Sequence, residues 1–140
     1  MKNLTIRNVR GICGTAAFTN ISADGDCFSM ENVLLEDWII EDCKIGVEIG
    51  GGVKCSNFTV RNSVFSAATG EDSISIRLSG EGKTLELKRM MIENVVFDGF
   101  SKGLKAGKDV LIEDTVRVVN SDFNGAQNEL DIPGGKVQIE

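Results

Sequence analysis

Apolar and polar residues alternate in short runs along most of the chain, and the runs share one form. An apolar residue, any residue, a second apolar residue and any residue are followed by Asn or Asp. The phrase reads Leu4-Thr-Ile-Arg-Asn8, Trp38-Ile-Ile-Glu-Asp42, Phe58-Thr-Val-Arg-Asn62, Met90-Met-Ile-Glu-Asn94 and Val116-Arg-Val-Val-Asn120. The period within each run is two, which is that of a strand and not of a helix. The closing Asn/Asp positions are 34, 20, 32 and 26 residues apart, a mean of 28.

Companion runs follow each phrase in a fixed order. A second strand-like pair comes next: Val47-Glu-Ile49, Ile74-Ser-Ile76, Leu104-Lys-Ala106 and Leu130-Asp-Ile132, with Phe28-Ser-Met30 taking this place in the first repeat. Gly-rich turns stand after several of these pairs, at Gly50-Gly-Gly52, Ser79-Gly-Glu-Gly82 and Pro133-Gly-Gly135. A third pair leads into the next phrase: Val33-Leu-Leu35, Val53-Lys-Cys55, Leu85-Glu-Leu87 and Val110-Leu-Ile112. Three short strands and three bends per unit predict one coil of an all-β parallel β-helix, about five coils in all, each stacked about 4.8 Å above the last.

The Asn at the end of the phrase has two physical uses. It tolerates a left-handed bend, and its amide both donates and accepts, so stacked copies can bond from coil to coil. The predicted ladder is Asn8, Asp42, Asn62, Asn94, Asn120, with a weaker rung at Asp42 because a carboxylate has no donor. Alternation predicts three inward columns: Ile6, Ile40, Val60, Ile92, Val118; Met30, Ile49, Ile76, Ala106, Ile132; and Leu35, Cys55, Leu87, Ile112. Trp38 aligns with Phe58 and Met90, in the core or at a sheet corner.

At 140 residues the prior is a single domain, here 1–140, able to bury a core without staples. The lysines and arginines number 15 and the acidic residues 21, for a net charge of -6. With no basic block and no Tyr, nucleic acid and anionic membrane surfaces are not expected partners. No run approaches the 18 or so apolar residues of a membrane span, and the first residues do not read as a signal peptide. There is no His, which removes His-based triads, proton shuttles and His-ligated zinc. Cys13, Cys27, Cys43 and Cys55 form no C-x-x-C pair. Cys43 and Cys55 read as core-lining residues on different sheets, unsuited to a mutual disulfide. Cys13 lies in the predicted loop Gly11-Ile-Cys-Gly-Thr. No amphipathic helix stands at either end to cover the open coils. The expectation is therefore a segment of a longer β-helix, end coils covered by another copy of the chain, or a cap made by an irregular loop, for which Cys13 to Asp26 is the longest candidate.

The repeat, from about Leu4 to Ile132, resembles the right-handed parallel β-helices of the pectate-lyase-like superfamily. The resemblance implies a single-stranded right-handed β-helix and sugar-cleaving sites on the outer face of one sheet. Lyases of that kind use acidic residues holding calcium with an Arg base, and the hydrolases use several Asp. It also implies, at family level only, an extracellular or virion-associated setting. The outward residues of the corresponding strands here are Ser29, Glu48, Ser75, Lys105 and Asp131, flanked by Glu31, Arg77 and Glu129.

Those residues match the catalytic sets poorly. Glu48 and Asp131 would be roughly 14 Å apart at strand spacing, beyond the 5–9.5 Å of a glycosidase pair. Glu129 and Asp131 share a strand face, where Lys105 offers Asp131 an ion pair. Gly70-Glu-Asp-Ser-Ile-Ser-Ile-Arg-Leu-Ser-Gly80 resembles the paired-acid strand of polygalacturonase-type hydrolases, with Glu71 and Asp72 in place of two Asp, but its partner His and Asp are missing. Glu48, Glu71 and Asp72 are hard oxygen ligands that calcium would accept, although no cofactor is required by the spacing. The expected function is a non-catalytic structural or glycan-binding module that self-associates through its end coils. Its binding face would be Ser29, Glu48, Ser75, Arg77, Lys105 and Asp131. The alternative is a small lyase or hydrolase of acidic polysaccharide using Glu48, Glu71, Asp72 and Arg77.

Overall fold

Eleven non-glycine residues among those described carry a left-handed backbone, and all but Glu81 are Asn or Asp. In the computed structural model, which describes residues 1–21, 28–69, 72–124, 132 and 136–140, these residues are the corners of a parallel β-solenoid of about four turns. Asn and Asp suit the corners because their short side chains lower the cost of a positive φ. The 15-residue strand Val53–Ala67 turns two of them, at Asn57 (φ 59°) and Asn62 (φ 51°), without leaving its sheet.

The strands are β1 (Lys2–Arg7), β2 (Arg10–Ile12), β3 (Ala16–Ile21), β4 (Phe28–Glu36), β5 (Ile39–Cys43), β6 (Ile45–Gly50), β7 (Val53–Ala67), β8 (Ile74–Ser79), β9 (Leu85–Asp98), β10 (Lys102–Ala106), β11 (Val110–Val119) and β12 (Val137–Ile139). They form two parallel sheets. The larger has the order β1-β4-β7-β9-β11-β12, with β5 pairing both β2 and β7, and the smaller has the order β10-β8-β6-β3. Among the described residues no helix is long and apolar enough to cross a membrane.

Register corrects the first half of the sequence reading. Val33, Leu34 and Leu35 pair with Leu4, Thr5 and Ile6 on one side and with Phe58, Thr59 and Val60 on the other. The ladder is therefore Asn8, Asp37, Asn62, Asn94, Asn120, and Asp42 is not a member. The anomalous 20-residue step disappears, and the intervals become 29, 25, 32 and 26. The cause lies in the sequence. Val33-Leu-Leu-Glu-Asp37 and Trp38-Ile-Ile-Glu-Asp42 both carry the phrase, five residues apart, and only pairing distinguishes them. Phe28-Ser-Met30 likewise pairs with Val53-Lys-Cys55 on the larger sheet, and Phe18-Thr-Asn20 holds the place expected for it on the smaller one. The terminal run Val137-Gln-Ile139 pairs with Val116-Arg-Val118.

The inward columns change accordingly. One runs Ile6, Leu35, Val60, Ile92, Val118, Ile139, and another Met30, Cys55, Leu87, Ile112. On the smaller sheet Ile76 stacks with Val47 and Leu104, and Ile49 with Leu78. Trp38 is buried at the edge of an aromatic stack in which Phe65, Phe97 and Phe123 lie nearly parallel, with centroids 5.3 and 4.9 Å apart. Amide bonds run along the ladder from Asn94 to Asn62 (3.2 Å) and from Asn120 to Asn94 (2.6 Å). A second ladder, Asn3, Asn32, Asn57, escaped the sequence reading. Its signal was a second Asn five residues before each ladder position in the first three coils.

Candidate functional site

The smaller sheet presents one outward column, Thr19, Glu48, Arg77, Lys105, set by the register of β3, β6, β8 and β10. Glu48 is only 5% exposed. It accepts a hydrogen bond from Thr19 Oγ1 at 3.0 Å and one from Arg77 Nη1 at 2.7 Å. The other end of the Arg77 fork reaches Glu81 at 3.1 Å. Both Nη atoms are thus engaged by carboxylates, and the guanidinium is a fixed positive point on the sheet. Lys105 stands exposed beside it in register, and Arg77, Ser79, Lys105 and Gly107 line a shallow groove of about 280 Å³.

The other candidates lie elsewhere. Asp72 precedes β8, where Lys102 Nζ (2.9 Å) and Ser101 Oγ (3.1 Å) donate to its carboxylate. The Lys102 hydrogen bond, with that of Ser101, holds this carboxyl below its usual range. Asp72 is five residues from Arg77 along the chain, roughly 16 Å at 3.3 Å per strand residue. Arg77 is the partner of Glu48, so Asp72 and Glu48 sit at opposite ends of the strand surface. Ser75 is fully buried, and its hydroxyl donates to the Lys102 carbonyl at 3.1 Å. It occupies the row of small residues Ala17, Gly46, Ser75 and Gly103, where a Cβ on Gly46 would come within 2.6 Å of the Ser75 carbonyl oxygen. Ser29 is exposed on the larger sheet, in register with Lys54, and not on the Glu48 face. Glu71, Glu129 and Asp131 lie outside the described residues. Among the described residues no group of three or more Cys, Asp or Glu is placed to hold a metal ion.

A charged column on the larger sheet was not singled out from the sequence. Arg7, Glu36, Arg61 and Glu93 stack in register, one per coil, with alternating sign. Glu36, 8% exposed, is bonded by Arg7 Nε and by Arg61 Nε, the latter at 2.6 Å. The Arg61 hydrogen bond, helped by Arg7 and opposed by burial, keeps the Glu36 carboxyl below its ordinary value. Beside this column, Asn3, Thr5, Asn32, Leu34, Asn57 and Thr59 border a groove of about 370 Å³ that reaches Arg61. The signal was in the phrase itself, whose fourth position reads Arg, Glu, Arg, Glu over the first four coils.

Comparison with protein-family models, with curated proteins and with solved structures finds no match. The fold defines the class: a parallel β-solenoid with asparagine side-chain ladders.

Proposed function

We propose that this chain is a non-catalytic structural module of the pectate-lyase-like β-helix type that stacks end to end with copies of itself. The observation that carries the reading is the match between the two ends of the larger sheet. Among the described residues β1 and β12 end its strand order; Ile139 of β12 is 65% exposed, and Ile12 of β2, which pairs only with β5, is 75% exposed. Continuing the register by one coil sets Val137 over Leu4 of a second copy, Ile139 over Ile6 and Glu140 beside Arg7. The apolar columns continue, and Glu140, which also pairs with Arg117, is set next to the base Arg7. Parallel edge strands with unpaired backbone groups favour such addition.

The same module would offer its faces to an extended acidic polysaccharide, with Arg77 and Lys105 as the cationic contacts. This second reading is favoured by the adjacent register of the two cations over a shallow groove. Catalysis is the weaker alternative, because Glu48, Asp72 and Arg77 are each engaged in ion pairs and the two acids are far apart. Sedimentation velocity of the wild type and of Ile139→Lys tests the structural reading. Loss of association in the variant, with an unchanged far-ultraviolet spectrum, is expected. Equal association in both would remove this edge from the account.

A further inference from the structure

Two of the four cysteines meet in one inward column, which the sequence spacing conceals. Gly11 of β2 pairs with Ile40 of β5, so Cys13 follows its reference position by two residues and Cys43 by three. The extra residue is taken up at a register irregularity between Ile40 and Cys43, where Asp42 turns left-handed (φ 55°). Cys43 then pairs with Ala67 below it, and Cys13 packs against the core above it. Backbone bonds on either side hold the two coils together, from Cys13 N to the Glu41 carbonyl at 2.8 Å and from Lys44 N to the Thr15 carbonyl at 2.9 Å. The Cys43 thiol points to the Glu41 carbonyl at 3.9 Å, the same carbonyl that accepts from Cys13 N, so both side chains leave the backbone at one bulge. Adjacent parallel strands lie about 4.8 Å apart, within the roughly 4.4–6.8 Å Cα separation that a disulfide accepts.

We propose that Cys13 and Cys43 are a disulfide site that fastens the first coil to the second when a low-molecular-weight disulfide is the oxidant. The half-buried Cys13 is the entry point, and Cys43, with no exposed surface, is the resolving thiol. Cys13 thiolate attacks one sulfur of the external disulfide, forms a mixed disulfide and expels one thiolate. Cys43 sulfur then attacks the Cys13 sulfur, its proton passing to the second departing thiolate. Two protein thiols are oxidised by two electrons, and the external disulfide is reduced to two thiols. Burial, with a contribution from Cys13, pushes the Cys43 thiol up to about 12. An isolated attack by Cys43 on a reagent in solution is therefore slow, and the order of events is fixed. Cys55, also buried and raised to about 12, sits in the separate Met30 column with no thiol beside it among the described residues.

The test is incubation of the full chain with excess oxidised glutathione, alkylation, and peptide mapping by mass spectrometry. The expected product is an intramolecular Cys13–Cys43 link with loss of two hydrogen atoms. It should be accompanied by a melting temperature roughly 5–15 °C above that of the reduced chain. In Cys13→Ser, which alters only the half-buried member, the link and the oxidation-dependent rise in melting temperature should both vanish. Glutathione retained at Cys13, a link from Cys13 to Cys27, or a link between chains would overturn the proposal.

Discussion

Glu36 and Arg61 are 25 residues apart in sequence and adjacent in space, with the carboxylate accepting from Arg61 Nε at 2.6 Å on neighbouring coils. Arg7 bonds the same carboxylate from the other side, so one acid joins three consecutive turns. The folded carboxyl titrates below its ordinary value, chiefly through the Arg61 hydrogen bond. Its contribution to stability is therefore full above the ordinary carboxylate range and is lost as the pH falls through the depressed folded value. Glu36→Gln should lower the melting temperature at pH 7, and the gap from wild type should close as the pH falls below the ordinary carboxylate range and through the depressed folded value. A gap independent of pH would assign the loss to packing instead of charge.

The ladder predicts a stabilising substitution. Asp37 occupies a rung between Asn8 and Asn62 and has a left-handed backbone (φ 59°) that Asn also accepts. Asp37→Asn supplies the missing donor and should raise stability by about 0.5–1.5 kcal/mol in urea titration. Asn94→Ala removes both a donor to Asn62 and an acceptor for Asn120 and places a Cβ-bearing apolar residue at φ 52°. It should cost about 2–4 kcal/mol.

Most of the coil plan was legible from the chain: the strand period, the glycine turns at 50–52 and 79–82, the 28-residue mean and four of the five ladder positions, while the turn expected at 133–135 lies outside the described residues. What misled was local degeneracy. Two phrases five residues apart, ending at Asp37 and Asp42, are equivalent until the strands pair, because a solenoid register is chosen by the neighbouring coil. The side of a strand is equally ambiguous where it bends. Ser75 alternates with Ile74 and Ile76, yet it is buried at the small-residue corner. The Cys13–Cys43 proximity was hidden for the same reason, since a bulge changes the count of residues but not the column.

Gly46 tests that corner directly. A Cβ there meets the Ser75 carbonyl at 2.6 Å and the Phe97 ring at 3.1 Å, whereas a Cβ on Gly14 meets nothing within 4 Å. Gly46→Ala should cost about 1–3 kcal/mol by overpacking, and Gly14→Ala should stay within about 0.5 kcal/mol of wild type. Equal denaturation midpoints would refute the inward placement of that row.

On the outer face, Lys105→Glu reverses an exposed cation next to Arg77 without touching the Glu48 ion pair. Binding to an acidic polysaccharide, measured by calorimetry at low salt, should fall at least tenfold. Wild-type binding should itself weaken as salt rises, because exposed charges are screened. Unchanged affinity in the variant would exclude this face.

End-to-end stacking is tested most directly by light scattering after size exclusion, over a hundredfold range of protein concentration. Stacking predicts a mass that grows with concentration in multiples of the 15.1 kDa chain. A single 15.1 kDa species throughout that range would contradict it.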